Sequence, residues 1–313
     1  MSDTSPVLCG IVVHWHNEEL LAELLAAWPD DPRFALVVVN NGSRAALATG
    51  RAQLVQPETN LGFAGGVNAG VAATRAPLVL LLNPDAVPAP DALDRLVEGF
   101  AGHPEAAGLA PRLVGPDGKA QLTWQLRRLP TPWECLLQTL PGLAPELGLA
   151  GEPPAGTPVE QPAAAALVLR REALAAIGGL DPAFHPAWFE DVDLGRRLRD
   201  AGLPLLYWPA ARFLHHLGST VPRLGYGPFL WIYYRNLTIY LRKHHGAAWA
   251  GAARAATVLG LLLRLLLVPL YRPRRAASRA AAARGLLLAL AGAVSGWSRP
   301  RGMVRAVADG TVS

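Results

Sequence analysis

Three short apolar runs, each closed by a polar turn, constrain this chain more than any other feature. Residues 7–13, 34–39 and 77–82 are too short for buried helices and rich in Val, Ile and Leu. That is the pattern of parallel strands covered on both faces. Between the first two, Leu20, Leu21, Leu24, Leu25 and Trp28 recur at helical spacing and stop at Pro29. A further strand is predicted near residues 53–55, a glycine-rich loop over 60–66 continuing as a helix over 67–75, and another helix from 91 to 101. Strands alternating with helices predict an α/β fold with a mainly parallel sheet. Ligands of such sheets bind at the carboxyl ends of the strands, and the polar turns at 40–43, 60–66 and 83–85 fit such positions.

Downstream, residues 141–162 are rich in Pro and Gly and read as a long surface loop. A small-residue strand at 163–169 precedes a helix over 170–176 that Gly178 and Gly179 terminate. Residues 188–200 read as helical, and two short strands at 205–208 and 212–214 lead into a His-His pair. With 51% hydrophobic and 17% charged residues among 313, the chain can bury a core and is not disordered. Cys9 and Cys135 are the only cysteines, which excludes a disulfide framework or a cysteine-based metal site. The sequence runs from Met1 straight into a strand pattern without a secretory signal, so a cytoplasmic setting is expected.

Charge divides the chain. Residues 235–313 hold 13 Lys and Arg against the single acid Asp309, leaving 16 basic and 23 acidic residues, a net of −7, in residues 1–234. A domain over 1–220 is therefore expected to carry a basic, Leu- and Ala-rich helical region over 221–313. Such a tail favours anionic surfaces. Its apolar runs, 255–263 and 265–271 broken by Arg264, and 285–298, are shorter than a spanning helix needs. Helices lying on a membrane surface, with Arg272, Arg274, Arg275 and Arg279 among headgroups, are preferred to packing on the body or on a second subunit. The Leu runs and the lack of interleaved aromatics argue against nucleic acid.

Several polar groups are candidates for chemistry. Asn83 and Asp85 offer oxygen ligands suited to Mg²⁺ or Mn²⁺, or form a plain turn. Asn60 to Asn68 lacks the Walker ending and the dinucleotide glycine spacing, so its glycines serve either close ligand approach or a tight turn. Glu190, Asp191 and Asp193 crowd three carboxylates into four residues. At least one should hold its proton more tightly and suit a general base, the alternative being acids at a helix start. Asp191 and Asp193 cannot share a helix face. His215, if near Asp85, would complete a mixed nitrogen and oxygen metal site.

In order, these segments resemble the inverting family 2 glycosyltransferases, and among them the rhamnosyltransferase-like group. The matching stretches are Ile-Val-Val-His-Trp-His-Asn (11–17), Val-Val-Val-Asn-Asn-Gly-Ser (37–43), Asn-Leu-Gly-Phe-Ala-Gly-Gly-Val-Asn-Ala-Gly (60–70) and Leu-Leu-Leu-Asn-Pro-Asp (80–85). Arg-Arg-Glu-Ala-Leu-Ala-Ala-Ile-Gly-Gly-Leu-Asp (170–181), Phe-Glu-Asp-Val-Asp-Leu (189–194) and His-His-Leu-Gly-Ser-Thr (215–220) complete the set.

The resemblance implies a GT-A fold with a nucleotide-diphosphate sugar over the sheet. It implies Asn40, Asn41, Asn60, Gly62, Gly65, Gly66 and Asn83 as donor-binding residues, and Asp85 with His215 at a Mn²⁺ or Mg²⁺ site. Asp191 becomes the catalytic base and Glu190 an acceptor-side partner. Rhamnose from a dTDP donor, a lipid-linked or polysaccharide acceptor, and peripheral attachment at the cytoplasmic face of the membrane follow, with a homo-oligomer compatible. Asn40 stands where the family usually has Asp, His14 and His16 replace common Asn residues, and Ala164 stands where Gly is frequent. Arg235 resembles an acceptor-side residue that would touch phosphate, its alternative being a salt bridge to the body. A catalytically silent nucleotide-sugar-binding subunit is the other functional reading.

Overall fold

The structure, a computed structural model, describes residues 5–42, 47–216, 224–270, 272–273 and 275–297. Arg274, Ser43 and residues 217–220 of the histidine motif, all named above, lie outside the described residues. The strands are β1 (Leu8–His14), β2 (Phe34–Asn40), β3 (Gln53–Val55), β4 (Leu78–Leu82), β5 (Ala86–Pro88), β6 (Gly108–Val114), β7 (Leu126–Arg127), β8 (Pro158–Val159), β9 (Gln161–Pro162), β10 (Ala166–Arg170) and β11 (Leu205–His215). The helices are α1 (Glu18–Ala27), α2 (Gly62–Ala72), α3 (Ala92–Gly102), α4 (Leu122–Gln125), α5 (Pro132–Leu137), α6 (Arg171–Ala176), α7 (Glu190–Asp200), α8 (Tyr226–His245), α9 (Ala247–Leu267) and α10 (Arg279–Val294).

The chain forms two compact units. The first comprises residues 1–129, 147–182 and 190–217 and is built on a mixed sheet in the order β3-β2-β1-β4-β10-β6-β11-β5, with β8 paired to β11. Strands β3, β2, β1 and β4 run parallel, as do β6 and β11, whereas β10 is antiparallel to both its neighbours. Along β4 the side chains alternate between two buried layers. Leu78, Leu80 and Leu82 join Leu21, Leu24, Leu93 and Leu96 on one face. Val79 and Leu81 join Val67, Leu167, Leu194 and Leu198 on the other. This two-sided burial explains why the strands read as continuous apolar runs.

Two local expectations change. The glycine-rich loop and following helix are one helix, α2, that starts at Gly62. A Cβ on Gly66 would stand 2.8 Å from Val13 Cγ1, and one on Gly70 2.4 Å from Ile11 Cγ2, so these glycines let the helix lie flat on β1. The two strands expected over 205–214 are one strand, β11, with an irregularity between Trp208 and Arg212.

The second unit comprises residues 130–146, 183–189 and 218–313, so two segments from within the expected 1–220 domain group with the carboxyl-terminal helices. Thr131 opens α5 with a capping box to Glu134 and a proline in the first turn. Helices α8, α9 and α10 pack on one another, and α9 packs on α5. Gly227 and Gly285 allow α8 and α10 to touch backbone to backbone, since a Cβ on either would meet the other's Cα at 2.9 Å.

Arg264 does not break the apolar run. Its guanidinium donates to the Gly260 carbonyl at 3.1 Å and to the Thr139 carbonyl, so α9 continues through it for 21 residues. By length and composition alone, α9 is long and apolar enough to cross a membrane. Ala250, Ala253, Thr257, Gly260 and Leu261 are buried, while Leu259, Leu262, Leu263, Leu266, Leu267 and Leu270 are exposed.

Candidate functional site

The 130-residue separation of Asp85 and His215 disappears in the sheet. Strand β5 pairs antiparallel with the end of β11, setting His215 opposite Ala86, and the His216 N–H donates to the Asp85 carbonyl at 3.0 Å. His215 Nε2 then lies 3.5 Å from Asp85 Oδ1, with both residues buried. That separation, with one nitrogen and one carboxylate oxygen, suits two ligands of a single Mn²⁺ or Mg²⁺ ion. No group of three or more His, Cys, Asp or Glu gathers in this way among the described residues. The pair can supply only part of a coordination shell.

Asn40 ends β2 beside His14 at the end of β1, and Asn83 follows the end of β4. All three occupy the carboxyl edge of the parallel strands, where a ligand of such a sheet binds. Asn40 Nδ2 donates to Gln56 Oε1 at 2.9 Å. Asn41 is buried and holds the entry to α2: its Nδ2 donates to the Gly62 carbonyl, and its Oδ1 accepts from the Leu61 N–H at 2.7 Å. Asn60 Oδ1 accepts from the Gly62 N–H at 2.8 Å, turning the chain into the helix. Gly65 sits against Leu61 and Gly66 against Val13, so both belong to helix packing. Gly62, at φ 69°, adopts the left-handed backbone that glycine favours.

The three acids open α7 and take different environments. Asp193 is buried and bound at 2.7 Å by Arg197, whose guanidinium also donates to the Ile177 and Gly179 carbonyls. This pair is internal rather than solvated as a surface pair would be. Arg196 and Arg199 do form exposed pairs, with Asp200 and Glu160. Burial pushes the Glu190 carboxyl well above the ordinary carboxylate range, and the neighbouring charges of Asp191 and then Asp193 add to it. Burial also raises Asp191, opposed by the charge of Arg127 and by hydrogen bonds from the Val192 N–H and Gln161. Gln161 Nε2 reaches Asp191 Oδ2 at 3.1 Å. Both carboxyls therefore hold their protons more tightly than free ones, and only Asp191 has Arg127 and Gln161 acting against that shift.

Residues without a charge pattern tie these parts together. After the turn at Pro116-Asp117-Gly118 the chain doubles back, and Gln121 and Trp124 grip His215. Gln125 fixes that segment to β6 through Pro111 and Leu113. Strand β7, which follows directly, pairs with β9, so Arg127 stands opposite Gln161, the partner of Asp191. Residues 121–127 thus join the surroundings of His215 to those of Asp191. In the second unit, Arg235 donates to the Ala183 and His185 carbonyls and to Asn236 Oδ1. All three contacts lie within the second unit. Asn236 Nδ2 reaches the Phe184, Ala187 and Trp188 carbonyls at 3.0, 2.9 and 3.0 Å.

Comparisons with known proteins agree with this architecture. Residues 11–149 match the family described as Glycosyl transferase family 2. An N-acetylglucosaminyl-diphospho-decaprenol L-rhamnosyltransferase of Mycobacterium tuberculosis is 26% identical over 298 residues, covering 84% of this chain and 92% of that protein. Among solved structures, a mannosyltransferase from Pyrobaculum calidifontis in complex with GDP-Man and Mn²⁺ superposes with a TM-score of 0.52 at 16% identity, over 95% of this chain and 89% of its own. GalNAc-T7 with UDP, GalNAc and Mn²⁺ gives a TM-score of 0.52 at 14% identity, and the match spans 79% of this chain but about half, 52%, of that one. These two likenesses establish the GT-A fold. With that fold, the family match and the mycobacterial relative make the chain a glycosyltransferase that resembles family 2, and within it the rhamnosyltransferase-like kind.

Proposed function

We propose that this glycosyltransferase is metal-dependent and inverting, moving rhamnose from a dTDP donor to a lipid-linked or polysaccharide acceptor in cell-envelope glycan synthesis. The observation that carries the reading is the pairing of two chemistries in one unit: the Asp85–His215 pair, and the proton-accepting Asp191 joined to it through residues 121–127. A Mn²⁺ or Mg²⁺ ion held by Asp85 and His215 would offset charge on the departing diphosphate. Asp191 removes the proton of an acceptor hydroxyl as that oxygen attacks the anomeric carbon from the face opposite the leaving group. One displacement inverts the centre, with no protein nucleophile. Glu190, whose carboxyl burial biases toward its protonated form, lies beside it on the acceptor side. Asn40, Asn60 and Asn83 line the donor side, and Asn41 positions the chain around Gly62.

The mycobacterial relative's name supports both the rhamnosyl group and a lipid-linked diphosphate acceptor. The exposed leucines of α9 and the basic carboxyl-terminal charge support attachment to the membrane where such an acceptor resides. Purified protein assayed with Mn²⁺ or Mg²⁺ against dTDP-, UDP- and GDP-sugars should release nucleotide diphosphate fastest from dTDP-rhamnose, and chelation should stop it. Turnover indifferent to chelation would remove the metal from the mechanism, and preference for another donor would remove the rhamnose.

A further inference from the structure

The tightest grip in the candidate metal centre comes from a residue outside the ligand pair. Gln121 caps the short helix α4, and its side chain meets His215 twice: Nε2 donates to the His215 carbonyl at 2.9 Å, and Oε1 lies 2.8 Å from the ring Nδ1. Trp124, one turn on, stacks on the imidazole with centroids 5.0 Å apart and planes 26° from parallel. The ring is therefore held at its edge and on its face.

These contacts fix the proton as well as the ring. A carbonyl oxygen can only accept, so the amide group facing the His215 carbonyl must be the NH₂ of Gln121. Its oxygen then faces Nδ1, and Nδ1 must be the protonated nitrogen. Nε2 is left with a lone pair toward Asp85 Oδ1, 3.5 Å away, at residues 2% and 4% exposed. Two buried acceptors facing each other at that distance repel unless a proton or a metal cation lies between them, and it is the metal that the donor pair suits. Partners behind a metal-binding imidazole act in this way, setting the tautomer so that the other nitrogen is the ligand.

We propose that Gln121 is the positioning residue of this centre, locking His215 as the Nδ1–H tautomer and so presenting Nε2, with Asp85, to a divalent cation. The proposal rests on the metal-dependent reading above. Arg127 and Gln161 serve Asp191, and no sequence motif marks Gln121.

The test uses the full-length protein and two readouts independent of turnover. In metal-free protein, the nitrogen NMR signals of His215, assigned by their loss in His215→Asn, should report Nδ1–H. Calorimetric titration with Mn²⁺ alone should then show about 10- to 100-fold weaker binding for Gln121→Met, the usual loss when a partner behind a metal ligand is removed. Gln121→Met should also give a mixture of both tautomers, while its melting temperature reports whether it folds. Trp124→Phe, which keeps a stacking ring, should retain both wild-type properties. An Nε2–H signal in wild-type protein overturns the proposal. So does wild-type Mn²⁺ affinity in Gln121→Met, and with wild-type binding intact that outcome leaves the metal reading standing. Absence of Mn²⁺ binding in wild-type protein despite a clear Nδ1–H signal would sink the metal reading itself and the proposal with it.

Discussion

Asp191 and Glu190 are adjacent in sequence yet differ in environment, because Glu190 is closed off more completely. Glu190 is buried beside two other acids, and nothing among its causes compares with the Arg127 charge and the Gln161 bond that act on Asp191. Replacing Asp191 by Asn keeps the volume but removes the acceptor of the proton. We expect a fall of about 10²- to 10⁴-fold in transfer with nucleotide-sugar binding retained, measured by parallel turnover and calorimetry. Near-normal turnover would rule Asp191 out as the base.

Glu190 also leaves a mark on stability. Its carboxyl binds a proton more tightly in the folded than in the unfolded chain, so raising the pH from the ordinary carboxylate range toward the raised folded value removes stability. Glu190→Gln mimics the protonated form. It should raise the melting temperature at pH 7 to 8, with a gain that shrinks as the pH falls to 4. A gain independent of pH would contradict the burial argument. The acids themselves were legible in the sequence as a crowded triplet. Gln161, which bonds Asp191, and Gln121, which bonds His215, were not, because an uncharged amide carries no pattern and the two partners lie 30 and 94 positions away.

At the scale of elements, the parallel strands were legible to within a residue or two, since two-sided burial leaves an uninterrupted apolar run. Helix α2 starts earlier than its sequence suggests because six of the eleven residues from 60 to 70 are Gly or Asn, turn formers by intrinsic preference, and tertiary packing overrides that preference. The need for small residues becomes visible only when the helix is seen against β1. Gly70→Val would force its side chain into Ile11 and Val39 and should destabilise the fold by about 1–3 kcal/mol in chemical denaturation. An unchanged midpoint would mean that α2 can lift from the sheet without cost. The continuity of α9 through Arg264 was likewise hidden, because its guanidinium is hydrogen-bonded by the carbonyls of Gly260 and Thr139, the latter 125 residues earlier in the chain.

At the scale of the whole molecule, residues 1–234 are net acidic and residues 235–313 net basic, and a basic segment suits an anionic surface. Within the second unit, one face of α9 is packed and the other carries leucines at positions 259, 262, 263, 266 and 267, the spacing of a single helical stripe, with Leu270 exposed in the turn just after the helix. Leu266 and Leu270 are 75% and 81% exposed. The opposite face is packed on α5, α8 and α10, so the leucines form the one apolar face that α9 leaves uncovered. The stripe therefore fits a helix lying in the interface, with Arg272, Arg275 and Arg279 just beyond it at headgroup level. Wild-type protein should sediment with vesicles containing anionic lipid and be released by salt. Changing Leu266 and Leu270 together to Glu should weaken that binding by about tenfold or more, since each buried leucine contributes about 1.5–3 kcal/mol. Donor hydrolysis without vesicles should be unchanged. Equal sedimentation of both proteins would overturn the assignment, and a wild-type dimer that the two substitutions dissociate would give the leucines to a second copy of the chain instead.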